Sequence, residues 1–418
     1  MTSLNMSNGD SVLKQLYVAK KVQDATYESR PLFATLNKFE GFGGRNLPVP
    51  IKFGNPQGRS AVFSTAQSNR TAAKFEDFVI TRVADYSVAT VDGQTALATR
   101  GDSMAFLNAL TAQIDGAMAA LSDAHETFLF RDGAGWIGQV SASSTVSSAS
   151  ITLASIHDVT NFEVGMTLVA SATTTGAVRT GSEVLLSINR SSGVLGCTSA
   201  AWNTVITNLA ASDYLFVSGD AYGTSSAYVK VAGLERWFPA TAPTSGDSFF
   251  GVDRSVDSRL MGNRHVGTSQ NIEEALIDAQ SVGAREGAMI DRCFLNHVQV
   301  RTLKKELGAR IEYSKVPSKS AAGDYASISF RSCTIEGDRG PIEVIAANKC
   351  PSTVAWLLTS DSLTFGTLGP AVQMLMLDGS RILRQSTSDG YEVRVGFYGN
   401  LYCDAPGHNV RCSLTEPS

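Results

Sequence analysis

Residues 101–130, with the sequence GDSMAFLNALTAQIDGAMAALSDAHETFLF, carry the strongest helical signal in this chain of 418 residues. Asp102 or Ser103 is a suitable N-cap, and Gly133 is a suitable stop. At 1.5 Å per residue, such a helix is about 40 Å long. His125 falls on the apolar stripe, which predicts a hydrogen-bonded core histidine rather than a catalytic one. The stripe has the three- and four-residue spacing of an amphipathic helix and consists of Met104, Leu107, Leu110, Ile114, Met118, Leu121, His125 and Phe128.

A long two-stranded hairpin is predicted before this helix, over residues 46–92. Two prolines in its first strand favour a position at a sheet edge. A glycine-rich tip and a polar stretch lead to Lys74, and a second β run extends from Phe75 to Val91. Because an isolated hairpin is marginal in water, its stability must come from partners. The apolar positions of the first strand alternate with polar ones and are Leu47, Val49, Ile51 and Phe53.

An arm is predicted over residues 1 to about 40. The run from Val12 to Val22 has helical spacing, but it is short and ends in polar residues. The apolar side chains that follow are too few to form a core, so they must dock on this chain or on a neighbour. They are Leu32, Phe33 and Leu36.

The composition changes after Trp136, where serine, threonine, alanine, valine and glycine become dominant. Short β runs punctuated by glycines predict an inserted all-β subdomain that reaches Gly219. Helices are predicted beyond it over 269–282 and 296–307, with Asn296 as the N-cap of the second. The last hundred residues alternate strands with turns and include a hairpin with strands near 328–335 and 342–346.

The charge and composition exclude several classes of protein. A net charge of −4, a pI near 5.8 and no visible basic patch argue against a sequence-specific nucleic-acid binder. The sequence has no run of about 18 apolar residues, so we predict no membrane span. Met1 to Asp10 lacks the pattern of a signal peptide.

The six cysteines are scattered and form no C-x-x-C pair, which predicts reduced core thiols in a protein that folds in the cytoplasm. A pairing of Cys403 with Cys412 stays open at this stage, because only geometry can decide it.

The sequence contains no recognisable catalytic motif. It has no G-x-S-x-G or Walker loop, and Asn46 stands where the last glycine of a G-x-G-x-x-G motif starting at Gly41 belongs. His125 and Glu126 lack the second histidine of a zinc-protease motif. We therefore predict no catalytic residue, no cofactor and no metal. Since the arm and the hairpin are unstable alone, an assembly subunit is indicated; the alternative is a monomer in which both fold back on their own core.

The order and chemistry of these parts resemble the major capsid proteins of tailed bacteriophages, over nearly the whole chain. The stretch Thr334–Ile345 is similar to the family's axial-domain hairpin, and Gly396–Cys403 is similar to its final strand. The resemblance implies an α+β fold of the Hong Kong 97-like type. Its parts would be an N-terminal arm (1–45), an extended E-loop (46–100), the spine helix of the peripheral P-domain (101–136), an inserted all-β domain (137–220), the rest of the P-domain with the start of the axial A-domain (221–325), and the A-domain with the C-terminal strands (326–418).

The resemblance also implies a function. It is that of a major capsid protein whose copies form pentamers and hexamers of an icosahedral head around packaged double-stranded DNA. The implied partners are further copies of the chain, a separate scaffolding protein and a portal protein, with a decoration protein left open. Contact with DNA would be non-specific, there would be no membrane, and assembly would take place in the host bacterial cytoplasm. The alternatives are an encapsulin-type nanocompartment shell, another virion protein of the tail or the decoration, and an unrecognised hydrolase.

The predicted subunit-interface residues are apolar side chains in segments that have no local core. The alternative for each of them is burial within its own subunit. They are Leu32, Phe33, Leu36, Leu47, Val49, Ile51 and Phe53.

Overall fold

The computed structural model describes residues 30–93, 103–197, 200–225, 227–307, 333–375, 383–385 and 389–416. Most of the predicted arm therefore lies outside the described residues. The α-helices in the described ranges are α1 (Pro31–Thr35), α2 (Phe63–Ser68), α3 (Ser103–Phe130), α4 (Trp202–Val205), α5 (Tyr222–Ser225), α6 (Leu234–Trp237), α7 (Ile272–Arg285) and α8 (His297–Leu307).

The strands make up the larger part of the fold and fall into several sheets. In the first half of the chain they are β1 (Asn37–Phe39), β2 (Asn46–Gly54), β3 (Lys74–Thr81), β4 (Val83–Asp92), β5 (Trp136–Gln139), β6 (Ser150–Thr152), β7 (Thr167–Ser171), β8 (Glu183–Val184), β9 (Ser187–Asn189), β10 (Val194–Gly196) and β11 (Tyr214–Val217). In the second half they are β12 (Ser248–Phe249), β13 (Val252–Asp253), β14 (Asn263–Val266), β15 (Arg292–Leu295), β16 (Cys333–Gly337), β17 (Gly340–Ala346), β18 (Val354–Leu358), β19 (Leu363–Thr367), β20 (Gln373–Met374), β21 (Leu383–Arg384), β22 (Gly390–Cys403) and β23 (Val410–Ser413).

Two mixed sheets form the body of the molecule. In the first, the long strand β22 pairs with β4, β19, β20 and β21, and β1 joins β19 in parallel. The second has the strand order β14-β23-β18-β15-β17-β16. The amphipathic helices α7 and α8 share a buried core with this second sheet. Helix α3 contacts β4 and β22, so the long helix lies on the first sheet.

The predicted helices are confirmed. Helix α3 covers Ser103–Phe130, and α7 and α8 lie within three residues of their predicted bounds. The Asn296 side chain accepts a hydrogen bond from the Val298 N–H, as an N-cap does. Gly133, the predicted stop, has a φ of +84° and follows the end of the helix closely, which suits a residue without a Cβ.

The second strand of the predicted hairpin is not continuous, which the sequence did not indicate. Strand β3 pairs with β2, but beyond Arg82 the chain changes partner and β4 pairs with β22. The reason is geometric, because β2 starts at Asn46 opposite Thr81 and offers no partner further on. The change is fixed by the Asn400 side chain, whose amide donates to the Thr81 carbonyl at 2.8 Å.

The insertion after Trp136 has its own buried core and two small sheets, with strand orders β5-β11-β7-β8 and β6-β10-β9. It also contains the short helix α4 and a 3-10 turn over Ile156–Asn161. It is therefore rich in β-structure without being purely β. The fully buried Trp202 of α4 explains the difference, since this short helix supplies a large core side chain.

Five cysteines are buried free thiols, which confirms the predicted reduced core thiols for them and rules out the pairing of Cys403 with Cys412: Cys293, Cys333, Cys350, Cys403 and Cys412. No helix among the described residues is long and apolar enough to cross a membrane. Within the same ranges, no group of three or more His, Cys, Asp or Glu side chains is placed to hold a metal ion.

Candidate subunit-contact surface

The hairpin of β2 and β3 is rooted in the core of its own chain. Its inward side chains follow the period of two, so Val49 and Ile51 are buried on β2 and Phe78 is buried on β3. The Phe78 ring lies 5.2 Å from Trp237 and 6.0 Å from Phe249, measured between centroids. These aromatic contacts, contributed by helix α6 and strand β12, support a hairpin that would be unstable alone.

The otherwise polar tip of the hairpin carries two adjacent, exposed apolar side chains. The Phe63 side chain at the start of α2 is 80% exposed, and Val62 beside it is 57% exposed. Helix α2 has no buried residue. Phe75, at the start of the returning strand, is also largely exposed. The tip therefore presents aromatic surface that no described part of the chain covers, which is typical of an interaction site.

The predicted interface residues are mostly enclosed in the isolated chain. Leu32, Leu36, Val49, Ile51 and Phe53 are buried in the main core. Phe33 and Leu47 are partly buried against that core. This burial agrees with the alternative given for them, and their contact with neighbouring subunits stays a prediction.

The exposed apolar tip is what the sequence reasoning missed. Val62 and Phe63 lie in the segment before Lys74 that was interpreted as a polar stretch. The sequence did contain a signal for this surface, namely the adjacent pair Val62 and Phe63. Two large apolar residues in an otherwise polar loop have no local core to enter.

The chain entering the fold at Arg30 is held on helix α3 by a buried carboxylate. Glu126, fully buried, accepts hydrogen bonds from the backbone N–H groups of Leu32 and Phe33, each at 2.9 Å. Arg30 pairs with Asp123 at 2.9 Å. Burial raises the pKa of Glu126 to about 7, although the two N–H donors oppose that shift. The root of the predicted arm thus docks on its own subunit.

His125 lies in an aromatic box between α3 and the first sheet. Its ring centroid is 4.9 Å from Phe33, 4.8 Å from Phe365 and 4.5 Å from Phe397. Neither ring nitrogen has a hydrogen-bond partner among the described residues. The prediction of a core histidine is confirmed, but the expected hydrogen bond is wrong for that part of the chain. Burial lowers the pKa of His125 to about 3, so the ring is neutral at physiological pH.

Lys230 ties the first sheet to the end of the insertion. Its Nζ lies 2.8 Å from Asp85 on β4 and 2.9 Å from Asp220, just after β11. Burial lowers the pKa of Lys230, but the two carboxylates outweigh that effect and the net pKa is raised. A buried cation with two anionic partners holds these elements in one arrangement.

Shifted pKa values are common in active sites, but the geometry around His125 and Glu126 argues against a catalytic role for them. His125 and Glu126 are both fully buried, so no substrate reaches either side chain. Glu126 is already occupied by two backbone donors. These groups hold the subunit together, and the exposed hairpin tip is one of the surfaces that remain accessible to a partner.

Comparisons with known proteins identify the fold. No protein-family model matches the sequence, and no curated protein matches it. Among solved structures, the Cyanophage A-1(L) capsid asymmetric unit matches with a TM-score of 0.53 and 10% identity, over 97% of this chain and 99% of that one. The capsid of the native GTA particle matches with a TM-score of 0.47 and 10% identity, over 99% and 100% of the two chains. Only the first score is high enough to carry an argument, and it shows the fold.

The fold is that of a tailed-phage major capsid protein, and the predicted α+β class is confirmed. The match extends over almost the whole of both chains, so the likeness concerns the overall fold. At 10% identity the likeness concerns the fold and not the function.

Proposed function

We propose that this protein is the major structural subunit of a phage-type capsid, whose copies form pentamers and hexamers around packaged double-stranded DNA. The observation that carries the proposal is the full-length match to a capsid subunit. The exposed aromatic tip of the hairpin supports it, because such a surface requires a partner. Closed symmetry then multiplies each contact over the shell.

The hairpin tip is the proposed contact with the neighbouring subunit. The β2–β3 pair forms a two-stranded sheet. Its outer edges can accept a strand from another copy, except near Val79, whose N–H already donates to the Phe250 carbonyl. Phe63 and Phe75 would supply apolar contact area at that junction. Leu47 and Phe33, which are only partly buried, are the members of the predicted interface set that retain surface for a partner.

Further partners follow from the same proposal. They are a separate scaffolding protein, a portal protein and, as an open choice, a decoration protein. A net charge of −4 suits a shell that makes only weak, non-specific contact with DNA. The virion would be its location after assembly in the host cytoplasm.

Electron microscopy and sedimentation of the purified chain test the proposal, with the chain expressed alone and then together with a scaffolding candidate. Rings, tubes or closed shells are the expected result. Phe63→Asp should abolish these assemblies and leave a folded monomer with unchanged circular dichroism. Val256→Asp is the matched control, because Val256 is also largely exposed but lies outside the hairpin. A wild-type chain that stays monomeric under both conditions would refute the shell role.

A further inference from the structure

A small apolar pocket lies between helix α3 and the β-rich insertion. Its volume is about 140 Å³, close to the ~150 Å³ of a cavity that holds a benzene ring. Solvent reaches its rim, because the side chains of Glu163 and Asp220 that line it are 54% and 28% exposed. The pocket is therefore large enough for one aromatic ring and open to it. Apolar side chains of both elements form the walls, among them Ala119, Ala124, Ile137, Met166 and Val217.

Lys349, in the loop between β17 and β18, contributes a buried amine to this pocket. The residue is only 6% exposed and lines the pocket together with Thr160 of the insertion. Its Nζ donates to the Thr160 carbonyl at 2.6 Å, and no carboxylate in the described ranges forms an ion pair with it. The amine is thus held in place beside an apolar cavity without the anionic partner that a buried lysine ordinarily has.

The surroundings of Lys349 favour the neutral form of its amine. Burial lowers its pKa to about 8, although Asp123 and Glu163 act in the opposite direction. Of the other charged groups that face it, Glu126 on α3 raises the pKa and Arg190 of the insertion lowers it. An ordinary lysine has a pKa of about 10.4, so near pH 7 the neutral fraction of Lys349 is larger by roughly two orders of magnitude. A neutral, desolvated lysine is a nucleophile for carbonyl groups.

We propose that Lys349 is a covalent modification site for small aromatic aldehydes, whose ring fills the pocket while the carbonyl carbon meets Nζ. The lone pair of the amine attacks that carbon, and a C–N bond forms. The carbonyl oxygen then leaves as water with the two protons of the amine, so that a C=N bond remains. One N–H can stay on the Thr160 carbonyl during the attack, and the apolar walls keep water from the imine. The site lies within one subunit and is independent of the shell role.

Reductive trapping in the purified full-length chain tests the proposal. The protein is treated at pH 7 with a limiting amount of benzaldehyde and with sodium cyanoborohydride, which reduces the imine to a stable benzylamine. Peptide mass mapping then identifies the modified lysines. Lys349 should be labelled at least about tenfold faster than the exposed Lys52, Lys74 and Lys305, because more of its amine is neutral and the pocket concentrates the ring.

Two controls separate the pocket from simple amine reactivity. Benzyl alcohol has the ring but no carbonyl group, so an excess of it should slow the labelling of Lys349 at least about fivefold and leave Lys305 unchanged. Ala124→Leu partly fills the pocket and keeps the amine, so it should have the same effect. Ala142→Leu, at an exposed alanine of the insertion that does not line the pocket, should label like wild type.

Labelling of Lys349 no faster than that of Lys305 would overturn the proposal. Faster labelling that benzyl alcohol does not reduce would also overturn it, since the pocket would then play no part. The competition needs no substitution and therefore decides the outcome even if Ala124→Leu does not fold.

Discussion

Replacing His125 by phenylalanine should make the fold resistant to acid. Burial and the nearby charges of Lys38 and Lys230 lower the pKa of this histidine from 6.5 to about 3. A folded-state pKa below the unfolded value means that the wild-type stability is present above pH 6.5 and is lost as the pH falls toward 3. Each pH unit in that window costs about 1.4 kcal/mol, so the loss is roughly 3 kcal/mol at pH 4.5 and roughly 5 kcal/mol at pH 3.

The phenylalanine ring cannot take up a proton and keeps the edge-to-face contacts with Phe33, Phe365 and Phe397. At pH 8 the change should be small, because losing two unpartnered ring nitrogens gains about 1–3 kcal/mol and the larger ring costs a similar amount.

Urea unfolding of the monomer at pH 8 and pH 4.5 measures both effects. The free energy of unfolding of His125→Phe relative to wild type should rise by roughly 3 kcal/mol between the two conditions. His157→Phe, at a half-buried histidine outside this aromatic box, is the matched control for the change of side chain. If His125→Phe loses as much stability on acidification as wild type does, the ring is not the buried neutral group described here.

Three further changes test other parts of the subunit. The raised pKa of Glu126 means that the wild-type free energy of unfolding should fall by about 3 kcal/mol as the pH rises from about 4.5 through about 7. Glu126→Gln cannot ionise and should not show this fall. Urea unfolding of wild type and variant across this pH range measures the difference. Lys230→Met should lower the free energy of unfolding by about 3–5 kcal/mol, as measured with urea, because it leaves the carboxylates of Asp85 and Asp220 without their cation. Replacing both aspartates by asparagine in the Lys230→Met variant should restore part of that loss. Gly135 and Gly165 have nearly the same φ, +95° and +94°, but a Cβ added at Gly135 would collide with the Asp220 carbonyl oxygen, whereas one added at Gly165 would meet nothing. Gly135→Ala should therefore be the less stable of the two by about 2 kcal/mol or more in thermal melts, and equal melting temperatures would contradict the close approach.

The local elements could be predicted from the sequence, because their signals are local. The stripe from Met104 to Phe128 needs only a period of three and four, and the agreement with α3 reflects this. The alternation in β2 likewise predicted which side chains share a face, and Val49 and Ile51 do lie on the buried one.

The partners of these elements could not be predicted in the same way. Nothing in residues 46–54 indicates that their apolar side chains join the main core of the chain. Burial within the subunit and burial at an interface therefore predict the same sequence pattern. The pairing of β4 with β22 joins residues about 300 positions apart, and pairing at that separation leaves no local trace. The His125 ring was expected to find a hydrogen bond because most buried polar groups do, and its aromatic neighbours come from three separate elements.

The division between enclosed and exposed apolar surface is compatible with the proposed role, in which a stable subunit also assembles into a shell. The root of the hairpin and the segment from Arg30 onward are fixed within the chain, so a neighbour need not supply the energy to fold them. What remains for the neighbour is the tip, where covering Phe63 is worth about 1.5–3 kcal/mol. A contact of that size is too weak to hold two free subunits together, but in the proposed shell it would be repeated at every junction of a closed ring. Loss of one tip side chain should therefore leave the monomer intact and remove the assembly completely, which distinguishes a cooperative shell from a stable dimer.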